Sequence, residues 1–143
     1  MQITNMTLSD LDLISNNLEN EFDDFWNYNI LKKVFQNENY ILLVAKENES
    51  IIGFTVISII LDEATIENIV TKKDMRKKHV ASSLMEEIIK ICKKKNLSSL
   101  TLEVNSLNLP AIKLYQKFNF KNVGLRKKYY NNTDDAVIMS LFF

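Results

Sequence analysis

Apolar residues fall into two kinds of spacing along the chain, and the spacing changes several times. Ile3, Met6 and Leu8 predict a short opening strand. Ser9-Asp10 read as a helix start, and Leu11, Ile14 and Leu18 follow at helical intervals, predicting a helix over residues 9–20. Ile30, Leu31 and Val34 predict a second helix over residues 28–35. Residues 40–45 and 51–61 are β-rich apolar runs around the polar turn Glu47-Asn48-Glu49-Ser50, the pattern of a hairpin. A turn at Asp62-Glu63 leads into another strand over residues 64–70, and residues 71–78 form a charged loop. The period then becomes helical: Val80, Leu84, Ile88 and Cys92 recur every four positions, with Met85 and Ile91 widening the stripe. Lys93, Lys94 and Lys95 suit the negative end of that helix.

Residues 100–104 predict a short strand. Asn108 can cap a further helix with Pro110 in its first turn, and Ala111, Leu114 and Phe118 give it an apolar face. Residues 120–130 and 136–142 read as strands joined through Asn131-Asn132-Thr133-Asp134-Asp135. The order β-α-α-β-β-β-α-β-α-β-β predicts an α/β (α+β) fold around a mostly antiparallel sheet with one βαβ crossover.

Composition narrows the class. The chain has 143 residues, with no repeat and no Pro/Gly/Ser-rich linker, so a single domain over residues 1–143 is expected. Hydrophobic residues make up 46%, enough to offset chain entropy with a buried core. Lys+Arg and Asp+Glu are both 18, which argues against a general nucleic-acid coat. One cysteine, Cys92, and one histidine, His79, leave no intramolecular disulfide and no Cys-based metal site. Cys92 lies on the apolar stripe and reads as a buried small hydrophobe. No bilayer span and no signal peptide are apparent, so a reduced, cytosolic protein is expected.

Candidate chemistry concentrates at two places. Around residues 68–82 a strand feeds a basic loop carrying Lys72, Lys73, Arg76, Lys77 and Lys78, and the loop feeds a helix N-terminus. Orphan N–H groups and the positive helix end suit a pyrophosphate there, although a solvated basic loop has the same spacing. On the following strand, Glu103 alternates against Leu102 and Val104 and so points to the opposite face. A carboxylate there can act as a general base or be an ordinary surface glutamate. Asn108 and Tyr115, seven apart, share one helical face. Tyr115 also reads as a core aromatic beside Leu114 and Phe118.

The basic segment resembles the coenzyme loop of the GNAT acetyltransferases, whose pattern is Arg/Gln-x-x-Gly-x-Gly/Ala; here it reads Arg76-x-x-His79-x-Ala81. Residues 62–69, Leu102-Glu103-Val104, the set Asn108, Ala111, Leu114-Tyr115 and Phe118-x-Phe120, and the C-terminal Arg126-x-x-Tyr129-Tyr130 and Asp135-Ala136-x-Ile138-Met139 continue the resemblance. It runs from about Asp62 to Leu141, and is with the family's ribosomal-protein-alanine branch.

The resemblance implies a GNAT-like fold of about six to seven strands with a splayed, V-shaped cleft and flanking helices. It implies acetyl-CoA as cofactor and no metal. The pyrophosphate would meet backbone N–H groups of Lys77, Lys78, His79, Val80, Ala81 and Ser82, following Arg76, and Ile69, Val70 and Thr71 would pair with the pantetheine arm. Asn108 would cap its helix and touch that arm, Glu103 would be the base, and Tyr115 would protonate the departing thiolate. Trp26, Tyr129 and Tyr130 would border the acceptor. The implied acceptor is a protein α-amine, namely the N-terminal alanine of a small-subunit ribosomal protein. Two other readings are a small-molecule amine (polyamine, amino acid or amino sugar) and a non-catalytic acetyl-CoA-binding module. His79 departs from the family's glycine, which lets backbone approach phosphate closely; a side chain fits if φ is negative and Cβ turns away.

Overall fold

A computed structural model describes residues 1–15, 21–22, 27–130 and 133–143, with the side chain of Tyr130 excepted. The elements are β1 (Gln2–Asn5), α1 (Leu8–Ser15), α2 (Tyr28–Phe35), β2 (Tyr40–Glu47), β3 (Ser50–Ile60), β4 (Glu63–Thr71), a 3₁₀ turn (Lys73–Met75), α3 (Val80–Lys94), β5 (Ser99–Asn105), α4 (Leu109–Lys117), β6 (Lys121–Tyr130) and β7 (Asp134–Phe142). Their order is the one the hydrophobic spacing predicts. They form one sheet in the order β1-β2-β3-β4-β5-β7-β6. Every neighbouring pair is antiparallel except β4 and β5, which the α3 crossover makes parallel.

Strand alternation sends apolar residues to both faces of the sheet. Leu42, Val44, Phe54 and Val56 pack with Met6, Leu11, Ile14, Leu31 and Val34, burying the α1 and α2 side. Leu43, Ala45, Ile57, Ile66, Leu102 and Val104 pack with Val80, Leu84, Met85, Ile88, Cys92 and Tyr115, burying the α3 and α4 side. The stripe Val80, Leu84, Ile88, Cys92 is therefore core, as its spacing indicates. Burial raises the Cys92 thiol pKa from 9.0 to about 11, which keeps it protonated and unreactive near neutral pH.

The N-terminus differs from its sequence reading. Met6 and Leu8 lie outside β1, and α1 begins at Leu8 rather than at Ser9-Asp10. The cause is a reciprocal cap: the Asp10 N–H donates to Thr7 Oγ1 at 3.1 Å, and the Thr7 N–H donates to Asp10 Oδ2 at 2.9 Å. Of the expected helix over residues 9–20, residues 16–20 lie outside the described part. The hairpin turn between β2 and β3 uses Asn48 (φ 51°) and Glu49 (φ 69°), two successive left-handed residues that suit the twist of the flanking strands.

Two local features position the functional region. Gly53 on β3 lies against the start of α3: a Cβ built there would stand 2.7 Å from Val80 Cγ1 and 2.9 Å from the Val70 carbonyl oxygen. Glycine thus lets the helix N-terminus settle directly onto the sheet. On β6, the register jumps from Arg126–Ala136 to Tyr130–Asp134, so residues 127–129 bulge opposite Asp135. Lys128 takes φ 53° at the bulge, and its N–H donates to Asp135 Oδ1 at 2.9 Å.

Candidate active site

The parallel pairing of β4 and β5 runs from Glu63–Ser99 to Ile66–Leu102 and goes no further. Beyond it, β4 continues to Thr71 and β5 to Asn105, and the gap between them is a cleft of about 750 Å³. Thr65 to Ile69 line one wall, Thr101 to Asn105 the other, and Asn108, Tyr115, Arg126 and Tyr129 complete it. On its far edge β4 stays paired to β3 through Thr71. The edge facing the cleft is therefore available to an extended ligand that adds like a strand.

Glu103 and Tyr115 approach this gap from opposite faces of the sheet. Tyr115 belongs to the α3 and α4 core with Leu102 and Val104, where its ring packs 5.9 Å from that of Phe120. Glu103 alternates to the other face of β5. Because the strands splay here, both side chains line one cleft. Asn108 caps α4 by accepting the Ala111 N–H at 3.3 Å, and it lines the same cleft.

Glu103 carries a partner that strand alternation does not reveal. Its Oε1 lies 2.8 Å from Arg126 Nη2, and the Arg126 guanidinium lies over the Tyr129 ring, 4.5 Å from its centre. Glu67, on the bulge of β4, also lines the cleft and accepts the Ser58 hydroxyl at 2.8 Å. Asn105 donates through its side chain to Asp134 Oδ2 at 3.0 Å, tying the end of β5 to the start of β7.

The anion-binding end follows directly on β4. Val70 is buried in the α1 and α2 core, so only its backbone faces the cleft side. After Thr71 come the 3₁₀ turn, exposed Arg76, Lys77, Lys78 and His79, and then α3 with Val80 buried and Ala81 and Ser82 half-buried. The first intrahelical bond closed here is Ser83 N–H to the His79 carbonyl at 3.0 Å, so the N–H groups of Val80, Ala81 and Ser82 point out of the helix end. His79 has φ 63° and ψ 22°, with no side-chain cap bond. This corrects the expectation of a negative φ: the position is left-handed, the geometry that favours glycine, and His79 occupies it under strain. Lys77 is also left-handed at φ 64°.

The structure thus gathers Ile69, Glu103, Asn108, Tyr115 and Tyr129 around one cleft and sets residues 70–71 and 76–82 at its α3 end. Trp26 lies outside the described residues. Tyr130 pairs with Asp134 through its backbone, and its side chain is not described. Arg126, Glu67 and Asn105 are cleft residues whose partners sequence reasoning did not supply. A strand edge, an N–H cradle and a cleft of this size together fit an elongated phosphate-bearing ligand such as coenzyme A. Among the described residues no group of three or more His, Cys, Asp or Glu could hold a metal ion.

The model of the acetyltransferase (GNAT) family matches residues 7–120. The chain belongs to the GNAT family. A curated relative, the ribosomal protein bS18-alanine N-acetyltransferase of Escherichia coli (strain K12), is 34% identical over 109 residues, 74% of each chain. The crystal structure of the ribosomal-protein-S18-alanine N-acetyltransferase from Escherichia coli superposes with a TM-score of 0.89 at 28% identity, covering 99% of this chain and 92% of that one. A Bacillus anthracis acetyltransferase solved in complex with acetyl coenzyme A superposes with a TM-score of 0.70 at 26% identity, covering 78% and 67%. This GNAT chain is accordingly an N-acetyltransferase that uses acetyl-CoA. Its sheet and V-shaped opening are those the family resemblance implies.

Proposed function

We propose that the protein acetylates the N-terminal alanine of ribosomal protein bS18, working in the cytoplasm with residues 1–143 as one catalytic domain. The observation that carries the chemistry is the convergence of Glu103 and Tyr115 on one cleft from opposite faces of the sheet. The relatives named for bS18 alanine support the acceptor. Consistent with work in the cytoplasm, no described helix is long and apolar enough to cross a membrane.

Bound acetyl-CoA supplies an activated acyl thioester. Backbone N–H groups of Lys77 to Ser82 would hold its pyrophosphate, aided by Arg76. The cleft-facing edge of Ile69, Val70 and Thr71 would pair with the pantetheine arm, and Asn108 would contact the same arm. The acceptor would enter from the Glu103 face beside Tyr129, with Tyr130 and Trp26 as its further proposed contacts. An α-ammonium has a pKa of about 7.7–8.0, so a carboxylate of modest strength suffices to take its proton. Glu103 receives that proton, directly or through one water. Tyr115 Oη donates a proton on the coenzyme side. Placing acid and base on opposite faces leaves room between them for the reacting centre.

The test is mass spectrometry of two peptides incubated with enzyme and acetyl-CoA. One begins with the alanine of bS18 followed by its own sequence. The other has a blocked α-amine and internal lysines. Acetylation of the first alone is the expected result. Acetylation of neither, with thiol released by small amines, would overturn the protein acceptor.

A further inference from the structure

Glu103 is the proposed base, yet its carboxylate is already engaged, and the partner comes from two strands away. In the order β5-β7-β6, Glu103 is registered with Ile138, and Ile138 with Gly124. Arg126 lies two residues beyond Gly124, on the same face of β6, registered with Ala136 and through it with Asn105. Neighbouring strands stand about 4.8 Å apart, so β6 and β5 are separated by about 9.6 Å. A guanidinium spans that gap only over low ground. Ala136, on the intervening strand β7, provides it, since its side chain is a single methyl. The bulge of residues 127–129, fixed by the Lys128 N–H on Asp135, then folds the Tyr129 ring under the guanidinium.

We propose that Arg126 is a positioning residue for the reaction: clamped between the Tyr129 ring and Glu103, it fixes the carboxylate in the orientation from which it accepts the acceptor's proton. The inference rests on Glu103 being the base. Three observations support it. The contact is short, at 2.8 Å. The guanidinium is held on a second side by an aromatic face, which restricts its rotamers. Its side chain is 51% exposed, so the pair adds little to folding and its geometry has another use. The arrangement also joins the proposed acceptor wall to the base: a ligand that shifts the Tyr129 ring also moves the guanidinium. One carboxylate oxygen remains for the incoming amine while the other is held.

A double-mutant cycle with Arg126→Ala and Glu103→Gln tests this, on whichever amine releases most thiol. Arg126→Ala should lower kcat about 10- to 100-fold, the usual scale for a misplaced catalytic group, while KM for acetyl-CoA changes less than about twofold. In the Glu103→Gln background the same substitution should add almost no further loss, because there is no carboxylate left to orient. Arg126→Lys should recover only part of the rate, and millimolar guanidinium should restore activity to Arg126→Ala, which a purely structural role would not predict. The outcomes separate the two readings. Full activity in Glu103→Gln ends the base assignment and this inference with it. An impaired Glu103→Gln beside an unimpaired Arg126→Ala, or losses that multiply in the double variant, overturns the role of Arg126 alone. Failure of the bS18 alanine peptide ends the acceptor assignment and leaves the cycle readable on a small amine.

Discussion

Gly53 and Val80 leave no room for a side chain between them: a Cβ at Gly53 would lie 2.7 Å from Val80 Cγ1. The contact seats the N-terminal turn of α3, and therefore its outward N–H groups, on the sheet beside the end of β4. Gly53→Ala must push the helix away or distort β3, since the second obstacle at 2.9 Å is the rigid Val70 carbonyl. Destabilisation of about 1–3 kcal/mol is expected from overpacking. The informative measurement is acetyl-CoA affinity by calorimetry on the folded variant. A several-fold loss is expected, and unchanged affinity would show that the helix end does not seat the coenzyme.

His79 gives a prediction of opposite sign. A side chain at φ 63° costs on the order of 1 kcal/mol relative to glycine. His79→Gly should therefore raise the thermal midpoint by about 3 °C. Acetyl-CoA binding should stay equal or tighten, since backbone approach to the pyrophosphate becomes easier. A clear loss of coenzyme affinity would mean that the imidazole itself contacts phosphate.

Asp10 links stability to pH. Asp10 is buried, and burial alone would raise its pKa. The hydrogen bond from Lys46, at 2.7 Å, and those from Thr7 outweigh burial, so the net result is a pKa below the ordinary 3.8. A depressed folded-state pKa stabilises above the unfolded value and is lost as pH falls through the folded one. Asp10→Asn should thus cost about 1–2 kcal/mol at pH 7, from the lost charged hydrogen bonds. Urea titrations should show the gap between parent and variant closing only below pH 3.8. A constant gap down to pH 2 would contradict the assignment.

Glu103→Gln probes the base through the acceptor rather than the enzyme. The α-amine is mainly protonated at pH 7 and mainly free at pH 9.5. Turnover should fall about 100-fold or more at the lower pH and much less at the higher, with little change in coenzyme affinity. Equal losses at both pH values would count against a base.

Much of this molecule is legible in the residue pattern, because β2 to β5 and α2 to α4 follow simple periods and end at polar breaks. The second helix begins at Tyr28 and ends at Phe35, as its apolar spacing indicates. Alternation and helical spacing give the faces of Glu103 and Tyr115, and the family resemblance singles them out. What the pattern does not carry is partnership across the sheet. Arg126 meets Glu103 only because β7 lies between their strands, and no local rule places β7 there. The bulge at residues 127–129 is hidden in what reads as one continuous strand. The early start of α1 depends on Thr7, whose cap competes with an equally plausible Ser9-Asp10. The left-handed turn at His79 is set by the joining of loop and helix, and the residue there gives the opposite signal.

The position of β7 bears on how the enzyme comes into being. Residues 134–142 are synthesised after both neighbours yet lie between them. While the nascent chain is still short of residue 134, β5 and β6 have no strand to join them, and Arg126 has no fixed place relative to Glu103. The earlier meander of β1 to β4 pairs sequential neighbours and can form as it emerges. A ribosome translating this chain therefore carries a half-sheet without a working site, and acetylation begins only after β7 has been inserted.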